Sequence, residues 1–394
     1  MNESRITHHV SHFIRPEIAE MEPYIPIVPF DVLSARLGRD PAEIVKLDAN
    51  ENPYGPSPKA AAALANLAYV NIYPDPESNQ LREALSGFTG VPKERLMAGA
   101  GADELIDLVL RVALSPGDVV VDCPPSFGMY PFSTAVNAGT YLPIPRNDDF
   151  SLNLPAIEEA VRQNRAKALF ICSPNNPDGS VIDDDTLRRL LQLPALVVLD
   201  EAYVDFAGGV NRRDAEGAEE NPKRVSASLR ASAVGHMDWV MAYDNLAVLR
   251  TFSKLAGLAG LRVGYGAFPA WLLPQMWKIK QPYNVSVAAS AAALAALDDQ
   301  AWLAEKVALI VRERGQLARE LGRFDWLRPF PSRSNFVLCR VLGRDAGQLK
   351  RNLEQQGVLV RYFNKPGVDN CIRVSVGRPD DTDRLVNALQ MIND

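Results

Sequence analysis

Ala195-Leu196-Val197-Val198-Leu199-Asp200-Glu201-Ala202-Tyr203 is an apolar run that empties into two adjacent acids. The run reads as a strand over Leu196–Asp200. It shows no alternation of polar and apolar residues, so both of its faces are expected to be covered. Two acids at a strand end are unusual for a purely structural element. Asp200 is expected to be partly buried there, and a buried carboxylate calls for a cation. No lysine or arginine stands close by in sequence. A protonated ring nitrogen of a ligand would serve; a solvated acid pair is the plainer alternative.

Outward from this run the pattern repeats. Short apolar runs at Val119–Asp122, Ala168–Cys172, 247–250 and 263–267 read as further strands. Stretches with helical spacing lie between several of them, at 104–114, 130–137, 156–164 and 184–191. This alternation predicts an α/β fold with a mostly parallel central sheet covered by helices. Ligands of such sheets sit beyond the carboxyl ends of the strands. Farther on, Val287–Leu297 and 302–321 read as helices. A strand (335–340), a helix (346–356), strands Val358–Tyr362 and Cys371–Ser375, and a helix (380–392) then predict a small α+β layer. Residues 208 to about 236, rich in charge, Gly, Ala and Ser, break the pattern and are expected to be a surface insertion.

Composition narrows the function classes. The chain has 394 residues, more than the ~250–300 at which single cores stop growing, so two domains are expected. Hydrophobic residues at 47% and charged residues at 23% exclude disorder as the main state. No apolar run reaches the ~18–20 residues of a membrane span, and the polar first 13 residues do not resemble a signal peptide. A net charge of −6 argues against nucleic acid as the partner. Cys123, Cys172, Cys339 and Cys371 form no CxxC pair, so a reducing cytosol is expected. His236 is the one histidine beyond residue 12, and no His/Cys metal site is expected.

Three more strand ends carry polar groups. Gly99-Ala100-Gly101-Ala102-Asp103-Glu104 opens a helix, where small residues and free N–H groups suit a phosphate. Ser173-Pro174-Asn175-Asn176-Pro177-Asp178-Gly179 follows a buried strand and taken alone reads as a plain turn. Thr251-Phe252-Ser253-Lys254, with Gly257, Gly260 and Arg262, places two hydroxyls and a lysine at a strand end. A desolvated lysine has a lowered pKa, which suits Schiff-base chemistry. Taken together, a Schiff-base lysine, an aspartate for a pyridinium nitrogen and a phosphate cradle are the parts that pyridoxal phosphate requires.

With these motifs in order, the chain resembles the fold-type I aminotransferases of class I/II over residues 20–394. The resemblance also rests on 47–58 (Leu47-Asp48-Ala49-Asn50-Glu51-Asn52-Pro53-Tyr54-Gly55-Pro56-Ser57-Pro58), on Tyr73-Pro74-Asp75-Pro76, on 249–254 and 257–265, on Val360-Arg361-Tyr362-Phe363 and on Arg373-Val374-Ser375-Val376-Gly377. Within the family it is most similar to the histidinol-phosphate aminotransferase branch. Departures are Asp178 where a Thr is usual, Leu255-Ala256 after the lysine, the insertion, and a loose match at 24–29.

The resemblance implies roles. Lys254 would be the Schiff-base lysine and proton-transfer base, with Asp200 on the ring nitrogen. Asn176 and Tyr203 would bond the phenolate oxygen, and Tyr130 would stack on the ring. The Ala102 and Asp103 backbone, with Thr251, Ser253 and Arg262, would hold the phosphate. Tyr73 would complete the other subunit's site in a homodimer. Tyr24, Asn52, Arg361 and Arg373 would bind substrate. It implies an N-terminal arm (1–60), a large cofactor-binding domain (61–285, with the insertion) and a small C-terminal domain (286–394). The implied reaction is L-histidinol phosphate plus 2-oxoglutarate giving imidazole-acetol phosphate plus L-glutamate, in the cytoplasm, with no metal, membrane or nucleic acid involved. Alternatives are an aminotransferase for aromatic or other amino acids, a phosphothreonine-type decarboxylase of the same cofactor, and a catalytically silent regulator.

Overall fold

The computed structural model describes residues 13–21, 23, 30–208 and 235–393. Two short helices, α1 (Pro16–Ala19) and α2 (Phe30–Leu37), lead to β1 (Val45–Leu47), α3 (Pro58–Ala65) and α4 (Asn79–Thr89). The larger layer runs through β2 (Leu96–Gly99), α5 (Ala102–Ala113), β3 (Val119–Asp122), α6 (Met129–Val136), β4 (Thr140–Pro143) and α7 (Leu154–Gln163). It continues with β5 (Ala168–Cys172), α8 (Asp184–Leu190), β6 (Leu196–Asp200), β7 (Leu246–Thr251), β8 (Gly264–Ala267) and α9 (Leu273–Ile279). Helices α10 (Val287–Leu297) and α11 (Gln300–Leu321) then lead to β9 (Leu327–Pro329), β10 (Phe336–Val341), α12 (Ala346–Gln355), β11 (Val358–Tyr362), β12 (Cys371–Ser375) and α13 (Pro379–Asn393).

Among the described residues these strands form two sheets. The larger has the order β2-β8-β7-β6-β5-β3-β4, and β8 alone pairs antiparallel with its neighbours. Every residue of β5 and β6 is buried, because helices cover both faces and branched side chains fill the space on each. α5 shows how the covering works. Leu105, Ile106, Leu108, Val109 and Leu110 are buried, while Asp103 and Glu104 stand in the first turn, where the helix dipole favours acids.

The smaller sheet has the order β1-β11-β12-β10-β9. β1 comes from the stretch read as the N-terminal arm and pairs parallel with β11, Leu47 opposite Val360. Arm and small layer are therefore one hydrogen-bonded unit. An ion pair from Arg36 to Glu354 also ties α2 to α12. α10 buries Ala289, Ala292, Ala293 and Ala296 along one stripe and packs on α3 and α4. Small side chains at that spacing let the helices approach closely. No described helix is long and apolar enough to cross a membrane. The body of the expected insertion, 209–234, lies outside the described residues.

Candidate active site

β2, β5, β6 and β7 run the same way, so Gly99, Cys172, Asp200 and Thr251 all stand at one edge of the larger sheet. The loops that follow them carry the predicted residues.

The start of α5 forms a cradle. Gly101, its N-cap, has φ +82, and a Cβ there would lie 2.6 Å from Arg262 Nη2. Glycine thus leaves the room that the guanidinium needs beside the helix start. On the other side, a Cβ on Gly264 would lie 2.6 Å from the Ala102 nitrogen, so β8 also approaches this helix end as only glycine allows. Arg262 Nη2 donates to Asp103 Oδ2 at 2.8 Å. The Asp103 carboxylate therefore holds the arginine and leaves the backbone N–H groups to face an anion. Thr251 Oγ1 and Ser253 Oγ lie 3.0 Å apart at the end of β7. These groups fit a phosphate.

Asp200 is 3% exposed. Its Oδ2 accepts the Tyr130 hydroxyl at 2.7 Å, and its Oδ1 accepts the Ala202 N–H at 3.0 Å. Among the described residues no cation pairs with it. Burial pushes its pKa up to about 6, against the pull of those two bonds. This is a carboxylate whose charge lacks a counterion and which a protonated ring nitrogen would complete. Its neighbour Glu201 is different. Burial alone would raise Glu201, but Arg250 and His236 outweigh it and hold the carboxyl below its usual range. Arg250 Nε and Nη2 both donate to Glu201 Oε2, at 2.9 and 2.7 Å. The acid pair is thus split: one carboxylate is locked in a structural ion pair and the other is left without a cation.

The expectation that Tyr130 stacks on a ligand ring is corrected. Tyr130 is fully buried, its ring stacks on Phe170 at 4.7 Å, and its hydroxyl serves Asp200. The aromatic that keeps some exposure is Phe127, edge-on to Tyr130 at 5.6 Å. It was legible as the other aromatic in the loop after β3. Asn52 has a structural role as well. Its Nδ2 donates to Leu255 O at 2.9 Å and its Oδ1 accepts the Tyr54 N–H at 2.9 Å. Both ends of the amide reach backbone, so Asn52 pins the N-terminal loop to the lysine loop.

Lys254 is half-buried, and its Nζ donates to Ala49 O at 3.1 Å. Burial, then the charge of Arg373, pushes its pKa down to about 8. Arg373, 6% exposed, donates from Nη1 to Asn176 Oδ1 at 2.6 Å and from Nη2 to Asp48 O at 2.7 Å. Tyr203 is buried, and its hydroxyl accepts from Asn50 Nδ2 at 3.1 Å. Lys254, Asn176, Tyr203 and Arg373 are thereby brought together. Arg361 stands directly opposite Arg373 on β11, and both guanidiniums lie over the Phe363 ring, at 5.9 and 5.5 Å. Tyr73 is 79% exposed, with its ring stacked on Tyr283 rather than on any residue of this site. Tyr24 lies outside the described residues. The sequence reading missed Asn50, whose φ of +55 and four bonded polar groups leave no trace in residue order. Among the described residues no three His, Cys, Asp or Glu side chains are placed to hold a metal.

An anion cradle, a desolvated lysine and an aspartate in want of a cation, gathered at one sheet edge, are what a fold-type I pyridoxal phosphate enzyme requires. Residues 42–389 match the family described as aminotransferase class I and II. The chloroplastic histidinol-phosphate aminotransferase of Nicotiana plumbaginifolia is 50% identical over 379 residues, 96% of this chain and 86% of that one. The histidinol-phosphate aminotransferase of Roseiflexus castenholzii is 46% identical over 391 residues, 97% of this chain and 99% of that one. The crystal structure of histidinol-phosphate aminotransferase from Sinorhizobium meliloti, in complex with pyridoxal 5'-phosphate, superposes with a TM-score of 0.82. It is 28% identical and covers 96% of this chain and 97% of that one. The chain belongs to the class I and II aminotransferases, and within them to the histidinol-phosphate aminotransferase branch.

Proposed function

We propose that this chain is a homodimeric, cytoplasmic aminotransferase of histidine biosynthesis. It transfers the amino group of L-histidinol phosphate to 2-oxoglutarate, giving imidazole-acetol phosphate and L-glutamate. The observation that carries the substrate assignment is the register pair Arg361–Arg373. Like charges directly opposite on neighbouring strands repel. An anion with several charged oxygens, spanning both forks, turns that repulsion into binding. The phosphate of histidinol phosphate meets this need, and the carboxylate of glutamate uses Arg373.

Pyridoxal phosphate is the cofactor the residues fit. The Ala102 and Asp103 N–H groups with Thr251, Ser253 and Arg262 would hold its phosphate, Asp200 its ring nitrogen, and Asn176 and Tyr203 its phenolate oxygen. Phe127 would supply the stacking face. Bound there, the cofactor supplies the electron sink for the charge left on the substrate carbon when it loses a proton. Lys254 Nζ takes that proton and returns it. With a pKa of about 8, part of the amine is uncharged near neutral pH and can act as a base. Asp200, kept out of water, holds the ring nitrogen in its protonated form. Arg373 fixes the Asn176 amide while it binds the substrate anion.

The dimer rests on surface chemistry. Tyr69, Val70, Ile72 and Tyr73 are exposed by 74, 71, 56 and 79%. A contiguous apolar stretch of this kind marks an association surface, and a second copy is the partner whose phosphate site Tyr73 would complete. The test is a parallel assay with L-histidinol phosphate, phenylalanine and O-phosphothreonine. Glutamate formation from 2-oxoglutarate with histidinol phosphate is expected, together with its loss in Lys254→Ala. Turnover of phenylalanine without histidinol phosphate would favour the general aminotransferase, and release of CO₂ would favour the decarboxylase.

A further inference from the structure

Asn50 has no role in the reaction as described above, yet it is 1% exposed and sits at φ +55, in the left-handed region that Asn tolerates better than most residues. All its polar groups are engaged. Its N–H donates to Ser375 Oγ at 2.8 Å, and Ser375 Oγ in turn donates to its Oδ1 at 2.8 Å. Its carbonyl accepts from Asn335 Nδ2 at 2.9 Å, and its own Nδ2 donates to the Tyr203 hydroxyl at 3.1 Å. The four bonds are mutually consistent. Ser375 receives the backbone N–H on one lone pair and gives its single hydrogen to the amide oxygen. The amide nitrogen then faces Tyr203, whose oxygen is an acceptor on that side. The one phenol hydrogen of Tyr203 has to point elsewhere. The Tyr203 ring is held edge-on to Phe336 at 5.2 Å, with Lys254 Nζ 5.8 Å from its centre.

We propose that Asn50, locked by Ser375, is a positioning residue that turns the Tyr203 O–H toward the phenolate oxygen of the cofactor. The inference rests on the reading of Tyr203 given above. Burial pushes the Tyr203 pKa well up, which keeps the group a donor. The same strand does this twice. Ser375 and Arg373 are two apart on β12, hence on one face of it. Arg373 occupies Asn176 Oδ1 and so leaves Asn176 Nδ2 as the donating end. Two donors to one oxygen, from β5 and β6 loops of the large layer, are thus both aimed by one strand of the small sheet.

The experiment loads wild type, Asn50→Gly, Tyr203→Phe and the double variant with pyridoxal phosphate. The visible absorption of the bound cofactor is titrated with pH and its dissociation constant is measured. Glycine keeps φ +55 free of strain while removing the amide. A donor to the phenolate oxygen favours its deprotonated form, so losing one raises the midpoint. Tyr203→Phe is expected to raise it by about one unit or more. Asn50→Gly is expected to raise it by roughly half a unit to one unit, and to add nothing in the Tyr203→Phe background. A wild-type midpoint in Asn50→Gly, or an equal shift with and without Tyr203, overturns the proposal. Should Asn50→Gly fail to hold the cofactor, Ser375→Ala frees the amide to turn and is expected to raise the midpoint likewise. A wild-type midpoint there, or loss of the cofactor there too, overturns it. Failure of the parent reading looks different: Tyr203→Phe itself would leave the midpoint unmoved.

Discussion

Replacing Asp200 by Asn should have opposite effects on the empty and the loaded protein, and the size of the first can be worked out. Burial raises the Asp200 pKa from 3.8 to about 6 in the fold without a ring nitrogen beside it. The folded state then holds the proton more tightly than the unfolded chain. Ionising Asp200 therefore costs stability, fully above pH 6 and not at all below 3.8. At about 1.36 kcal/mol per unit, the cost at pH 7.5 is up to about 3 kcal/mol. Asn carries no charge and keeps an acceptor for one of the two bonds. Urea unfolding of the cofactor-free proteins, at one protein concentration, should show Asp200→Asn to be more stable at pH 7.5. The gain should shrink as pH falls through the window from about 6 to 3.8. With pyridoxal phosphate bound the sign reverses: the ring nitrogen loses its anion, and kcat should fall by several powers of ten. A cofactor-free Asp200→Asn protein less stable than wild type at pH 7.5, or near-normal turnover, would show that Asp200 is a well-solvated acid and refute the reasoning.

Two further outcomes are expected. Arg361→Ala should lower kcat/KM for histidinol phosphate about ten- to a hundredfold more than for glutamate, since charge-assisted hydrogen bonds are worth roughly 1.5–3 kcal/mol each; equal losses in steady-state kinetics would dissociate Arg361 from the phosphate. His236 is held by Glu201 at 3.2 Å and Asp184 at 3.1 Å, and although burial pulls its pKa down, these carboxylates outweigh it and raise it above 6.5. Its stabilisation is therefore complete below pH 6.5 and lost as pH rises through the raised value, so His236→Gln should cost on the order of 1–3 kcal/mol at pH 5.5 and distinctly less at pH 9 by urea unfolding. A cost independent of pH would mean that His236 is neutral throughout.

The parallel sheet was readable because burial on both faces leaves its mark on each strand separately. Residues 119–122, 168–172 and 196–200 needed no knowledge of their neighbours, and the observed strands have those bounds. The strand-end polar groups were readable for the same local reason: chain direction puts them all at one edge. What stayed hidden depends on partners far away in sequence. Glu201 and Arg250 are 49 residues apart, and nothing in either segment tells which acid of the pair takes the arginine. Tyr130 is 70 residues from Asp200, and an aromatic that donates to a carboxylate reads in sequence like one that stacks on a ring. Asn50, just after β1, is 325 residues from Ser375 on β12 of the same smaller sheet. In each case residue type restricts which chemistry is available, but only packing decides which partner uses it. The direction of a single proton on Tyr203 is the extreme example: in our proposal it is set by a serine on the smaller sheet, acting through the amide of Asn50.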